Sequence, residues 1–156
     1  MAVEQLSDVA GRDAACIHAT CIAVMQCGVL FLGAPGSGKS TLALQMMALG
    51  ADLVSDDRVI LTMKGGYVVA EAPPEIQGLI EARGIGLLRA EVASATEVKY
   101  VVDLDHSEGA RLPEHSYTQV LRQTVPLLRG ADIPNLAAAL MQLAKKGRVN
   151  PAWPNN

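Results

Sequence analysis

Residues 33–40 read Gly-Ala-Pro-Gly-Ser-Gly-Lys-Ser, with Thr41 directly after them. This is the complete G-x-x-x-x-G-K-[ST] pattern of a phosphate-binding loop. Gly33, Gly36 and Gly38 let the backbone turn tightly enough to aim its N–H groups at an anion, with Ala34, Pro35 and Ser37 between them. Lys39 supplies a point charge for the outer phosphates, and Ser40 a hydroxyl for Mg²⁺. The flanks agree with the motif. Residues 29–32 form a short apolar run suited to a buried strand, and residues 40–49 a helical run closed by Gly50, so the positive end of that helix faces the anion. A chance glycine-rich turn is the alternative, and the strand–loop–helix context argues against it. The motif dictates an α/β fold that binds a nucleotide.

Bulk properties narrow the class. A chain of 156 residues, half of them hydrophobic, is one domain with a real core. Aromatics are 3% of the residues, with one Trp, three Tyr and one Phe, too few to build stacking platforms for single strands. Net charge is −3 and there is no basic run, which argues against a nucleic-acid partner. Cys16, Cys21 and Cys27 are odd in number and lack zinc or C-x-x-C spacing, so they read as buried free thiols suited to a reducing cytoplasm. Glu4, Asp8, Arg12 and Asp13 precede any long apolar run, and no stretch reaches the roughly 18 apolar residues of a membrane span. A soluble cytoplasmic protein without a membrane partner is the expectation.

Along the chain, residues 1–14 are polar and read as a flexible arm. Residues 16–25 predict a strand, with a turn at Gln26-Cys27-Gly28 before the strand that enters the loop. A strand at 52–55 returns after the helix and ends in Asp56-Asp57. Residues 59–63 and 67–70 flank Lys64-Gly65-Gly66, a strong hairpin signal. Residues 98–104 predict a central strand, 105–118 a mobile loop carrying His106, Arg111 and His115, and 120–128 a last strand. The final helix is expected to be capped by Asp132, with Pro134 in its first turn, Leu136, Leu140 and Leu143 on one face, and Gly147 after it. The domain therefore spans 15–147, followed by a loose tail at 148–156.

Phosphoryl transfer needs a metal bridge and a group that deprotonates the acceptor. A strand after the loop's own helix usually runs beside the first strand, so its end reaches the same crevice. Of Asp56 and Asp57, one can then face Mg²⁺ while its neighbour takes the acceptor's proton; ordinary turn chemistry in Ser-Asp-Asp-Arg is the competing reading. Glu81 stands in an apolar run, where a carboxylate needs a partner: Mg²⁺ or Arg83. His18 reads as a satisfied core histidine or as a site residue.

Four segments in order carry a resemblance to a known family: His18; the loop 33–40; Leu-Val-Ser-Asp-Asp-Arg at 53–58; and Leu-Ile-Glu-Ala-Arg-Gly-Ile-Gly-Leu-Leu at 79–88. The chain resembles the catalytic domain of HPr kinase/phosphorylase over residues 15–145, without the N-terminal domain of longer members. The resemblance implies a phosphate-loop kinase domain with a mixed, β-rich, phosphoenolpyruvate-carboxykinase-like sheet and a C-terminal helix. It implies ATP and Mg²⁺ as cofactors, an HPr-like phosphocarrier as protein substrate, and a homo-hexamer. It assigns Asp57 as the base, Lys39, His18 and Arg111 to the active site, and Ser40 and Glu81 to magnesium. The family's reverse reaction, in which phosphate attacks phosphoserine, is linked to a loop Pro-x-Arg-Pro-Gly-Arg. Here that region carries Arg129 alone between Pro126 and Pro134, which predicts weak or absent phosphorolysis. Two rivals remain: a small-metabolite kinase, which the lack of an arginine-rich lid disfavours, and a nucleotide-gated binding module without turnover. A GTPase switch is disfavoured because Asn-Lys-x-Asp is absent.

Overall fold

A computed structural model describes residues 1–153. The strand order places the phosphate loop at the end of a strand buried from both faces. Strand β1 (Val3–Glu4) pairs in parallel with β2 (Ala14–His18), and β2 pairs with β6 (Arg58–Lys64), which forms a hairpin with β7 (Tyr67–Glu71). A second group is built on β3 (Thr20–Val24), β4 (Cys27–Leu32), β5 (Asp52–Ser55), β10 (Thr96–Ser107), β11 (Ser116–Val120) and β12 (Gln123–Ala131). Here β4, β10 and β12 run parallel, with β10 in the middle. The start of β10 also pairs with β7, which joins the two groups into one ten-stranded sheet. A separate hairpin, β8 (Leu79–Ala82) and β9 (Gly86–Arg89), stands beside helix α1 (Lys39–Ala48). Helix α2 (Leu136–Lys146) packs against α1.

Alternation along the strands divides the core in two. Cys21, Ala23 and Leu30 face β2, β6 and β7 and join Ile17, Val59, Leu61 and Val68. Ile22, Val24, Val29 and Phe31 point the other way, toward Leu42, Ala43 and Met46 of α1 and Leu140 and Met141 of α2. Strand β4 is sealed along nearly its whole length, as a central parallel strand must be. All three thiols are buried, Cys21 and Cys27 inside these layers, and burial pushes each of them above the ordinary cysteine range.

Several local expectations are corrected. Residues 1–14 are not a flexible arm: β1 extends the sheet, and a 3-10 turn at Leu6–Val9 buries Leu6 and Val9 in the first core. The first hairpin turns at Met25-Gln26, both with positive φ (49° and 67°), and Cys27 and Gly28 already belong to β4. Strand β10 runs three residues beyond its expected end, to Ser107. The expected strand 120–128 is instead a hairpin, because the chain reverses between Val120 and Gln123. Asn135, not Asp132, caps α2, and neither end bond comes from a side chain; Gly147 closes the helix through its N–H to the Leu143 carbonyl at 2.7 Å. Of the expected tail, residues 154–156 lie outside the described residues, and Trp153 stays exposed.

The ordered N-terminus has a measurable consequence. Truncating a buried leucine removes its transfer energy and leaves a cavity, so Leu6→Ala is expected to cost about 2–3 kcal/mol. Urea unfolding should show a lower midpoint at unchanged slope, whereas a frayed arm would leave both unaltered.

Candidate active site

The loop geometry follows from its glycines. Gly36 and Gly38 have φ of 82° and 100°, left-handed conformations that glycine takes without strain and that let the loop curl tightly ahead of the helix. Gly33 is required for a different reason: a Cβ there would meet the Ser37 side chain, whose Cβ lies 2.9 Å away. Helix α1 begins directly at Lys39 with Gly38 as its cap and no side-chain capping bond, so its first N–H groups and positive dipole end stay directed at the loop. Lys39 Nζ donates to the carbonyls of Gly33 (2.7 Å) and Ala34 (3.2 Å), which holds the ammonium across the loop mouth.

The two adjacent carboxylates divide in environment. Asp56 is buried, and its Oδ1 accepts the hydroxyls of Ser40 (2.7 Å) and Thr20 (2.9 Å), while Oδ2 accepts the Glu81 N–H (3.2 Å). Asp57 is exposed and held at φ 70°, in a tight turn closed by the Arg58 N–H on the Asp56 carbonyl at 2.8 Å. A three-residue turn with positive φ is a strained conformation for a non-glycine residue. It faces Asp57 away from its neighbour and into two adjoining clefts. One, of about 310 Å³, is lined by Thr20, Ser40, Glu81 and Arg83; the other, of about 620 Å³, by His18, Lys39, Asp103, Asp105 and His106.

Strand β5 reaches this place by an unexpected route. It does not pair with β4, because β3 is inserted between them. Both pairings are antiparallel, so β5 still runs in the same direction as β4, and its end opens on the same side of the sheet.

His18 is exposed at the end of β2, not a core histidine, and lines the larger cleft. Glu81 is exposed and lines the smaller one, and among the described residues it forms no ion pair with Arg83. Ser40, Asp56 and Glu81 form an all-oxygen set suited to a hard cation. Among the described residues no group of three or more His, Cys, Asp or Glu could hold a metal alone. Arg111 stands apart. It lines a different cleft, with Arg129, Arg148 and Asp132, and is not brought to Lys39 or Asp57.

Sequence reasoning missed the contribution of β10. Asp105 accepts the Ala34 N–H with both carboxylate oxygens (3.0 and 3.1 Å), tying the loop to the strand beside it. His106 Nδ1 lies 2.6 Å from Asp103 Oδ2. The signal was present, since acidic residues at the end of a central parallel strand belong at the same crevice as the loop.

On the far side of the loop, Ser37, Gly38 and Thr41 also border a groove of about 760 Å³ between α1 and the β12–α2 corner, floored by Leu42, Leu104 and Leu136. Base-sized apolar space thus lies on one side of the anion site and an ionisable cleft on the other.

Comparison with known proteins agrees with this layout. The model of the HPr Serine kinase C-terminal domain matches residues 12–147. An HPr kinase/phosphorylase of Mycoplasmopsis pulmonis is 30% identical over 149 residues, covering 83% of this chain and 48% of that protein. One from Lactobacillus acidophilus is 38% identical over 96 residues, covering 56% of this chain and 30% of that protein. The chain thus spans about half or less of the length of the curated relatives it matches. The solved Hpr(Ser) kinase/phosphatase of Coxiella burnetii superposes with a TM-score of 0.72 at 26% identity, covering 83% of this chain and 88% of that one. With the fold, the loop and the family model coinciding over most of its length, the chain belongs to the HPr serine kinase C-terminal domain family.

Proposed function

We propose that the protein is an ATP-dependent serine kinase whose substrate is an HPr-like phosphocarrier protein. One observation carries the reading: Asp57, in its strained turn, borders both the Ser40–Glu81 cleft and the Lys39–His18 cleft. The base would then stand where the terminal phosphoryl group meets its acceptor. The groove between α1 and the β12–α2 corner takes the nucleoside, and the loop and the uncapped N-terminus of α1 take the phosphate chain. The acceptor serine enters the larger cleft. Its oxygen attacks the γ-phosphorus as its proton passes to an Asp57 oxygen, the bond to the β-phosphate oxygen breaks, and ADP leaves. Lys39 and the α1 N-terminus cover the charge that develops on the leaving oxygen. Ser40, Asp56 and Glu81 would hold Mg²⁺, which supplies further charge neutralisation when bound. His18 adds a hydrogen-bonding group to the acceptor side.

In the reverse direction the chain is poorly equipped. Arg129, the one arginine kept in the segment associated with phosphorolysis, donates to Ser116 Oγ at 3.3 Å and lines the cleft of Arg111, apart from Lys39 and Asp57. Weak or absent phosphorolysis is part of this reading. A cytoplasmic setting and a homo-oligomeric, hexameric state belong to it as well. Among the described residues no helix is long and apolar enough to cross a membrane.

Phosphotransfer from labelled ATP to purified HPr tests the kinase direction. Asp57→Asn should lower turnover by about 10²–10⁴-fold, the usual contribution of a general base, while ATP affinity stays within about twofold. An equal rate for wild type and variant would remove Asp57 from the mechanism. Asp57→Gly should be equally inactive yet at least as stable as wild type in urea, because glycine relieves a strain of about 1 kcal/mol at this φ. Incubating phosphoserine-HPr with inorganic phosphate should release pyrophosphate far more slowly than the forward reaction proceeds; comparable rates would overturn that part of the reading.

A further inference from the structure

The end of β10 carries an exposed histidine that is held in place without any stabilising need for it. His106 Nδ1 lies 2.6 Å from Asp103 Oδ2, with the ring 69% exposed and the Asp103 side chain 22% exposed. A pair this open to water contributes about 0–1 kcal/mol to folding. Three constraints nevertheless fix it. Asp103 Oδ1 accepts the Asp105 N–H at 2.8 Å, which turns the chain locally. The β10–β12 register shifts between Asp103 and Ser107, an irregularity of the kind that re-aims side chains at strand ends. Asp105 is bound in turn to the Ala34 N–H, so the turn is anchored to the phosphate loop. The ring thus keeps a set position relative to Lys39 and Asp57, with which it shares one cleft.

The chemistry of the pair settles what the ring offers. An ionised carboxylate only accepts, so Nδ1 carries the proton that faces Asp103, and Nε2 is left to meet a partner outside the pair. We propose that His106, oriented by Asp103, is an acceptor-contacting residue whose Nε2 forms a hydrogen bond with the segment of the protein substrate carrying the target serine. The inference rests on the kinase reading above and adds to it the group that registers the protein substrate in the cleft. His106 does not border the nucleoside groove, which is lined from α1 and the β12–α2 corner. Its contribution therefore belongs to the acceptor and not to ATP. Asp103 is a positioning residue that acts through the ring.

Steady-state kinetics with purified HPr and Mg-ATP separates the possibilities. His106→Ala should raise the KM for HPr about tenfold, the loss of one hydrogen bond worth about 1.4 kcal/mol, with the KM for ATP within about twofold of wild type. Asp103→Ala should reproduce this effect, and the double variant should be no worse than either single one, because the two act as a unit. His106→Gln, whose side-chain amide can make a hydrogen bond from the same place, should recover most of the lost affinity. The proposal is overturned by an HPr KM that does not move in His106→Ala. It is equally overturned by a rise confined to the KM for ATP, which would trace the effect to Asp105 and the phosphate loop. If wild type binds ATP but transfers nothing to HPr, the kinase reading fails and this inference with it; normal wild-type turnover with an unaffected His106→Ala sinks the inference alone.

Discussion

The site depends on one buried carboxylate. Asp56 sits at the junction of the phosphate helix, β3 and the β8–β9 hairpin, and it receives one donor from each: the Ser40 hydroxyl, the Thr20 hydroxyl and the Glu81 N–H. Burying a charge without partners costs many kcal/mol, and three neutral donors offset that cost without cancelling the charge. The negative charge is thus kept beside the positive end of α1, where the helix dipole favours it. Its bonds also hold the Ser40 hydroxyl and the Glu81 backbone in place beside the cleft. With Asp56 committed inward, the following residue can reach the cleft only by reversing the chain, and the positive φ of Asp57 follows from this.

The sheet explains how distant segments meet at this carboxylate. Interposing β3 between β5 and β4 separates the doublet's strand from the loop's strand, yet two antiparallel steps restore a common direction. The outer face of β5 is not left open: the Leu53 N–H bonds to the Glu91 carbonyl (3.2 Å), and the Ala93 N–H to the Leu53 carbonyl (2.8 Å). The segment that leaves the β8–β9 hairpin therefore covers, through a bridge at Val92, an edge that could otherwise pair with another chain.

What the sequence disclosed and what it hid divide along the range of the interactions. The phosphate loop, its helix, the Lys64-Gly65-Gly66 hairpin and the acidic doublet are local patterns, with periodicity or turn chemistry confined to a few residues, and these were legible. The N-terminal segment was misread because only Leu6 and Val9 commit it to the core, too short a signal to stand out among acids and polar residues. The β11–β12 turn escaped notice because Leu121-Arg122 carries none of the usual turn residues; Leu121 takes a φ of 53° while fully buried, so packing overrides local preference there. Asp105 and His106 read as part of a polar loop because nothing local tells a solvated loop from the end of a strand that overhangs a cleft, while Asp103 falls within the expected strand without a role. Arg111 illustrates the converse, since motif resemblance supplied a role and the fold sets the side chain beside Arg129 instead.

The central position of β10 has a kinetic consequence. The strand lies between β4, some seventy positions earlier in the chain, and β12, and its first residues clasp β7 as well. Side-by-side alignment of segments so far apart requires closing large loops before any reward arrives, which slows the search for the native state. The tethers on the Ala34 amide of the phosphate loop and on the cleft histidine both come from the end of this strand. A partly folded chain could already hold its helix and hairpins while lacking a competent nucleotide cradle. Nucleotide capture would then register completion of the whole architecture, and ligand added during refolding would trap the finished state by mass action.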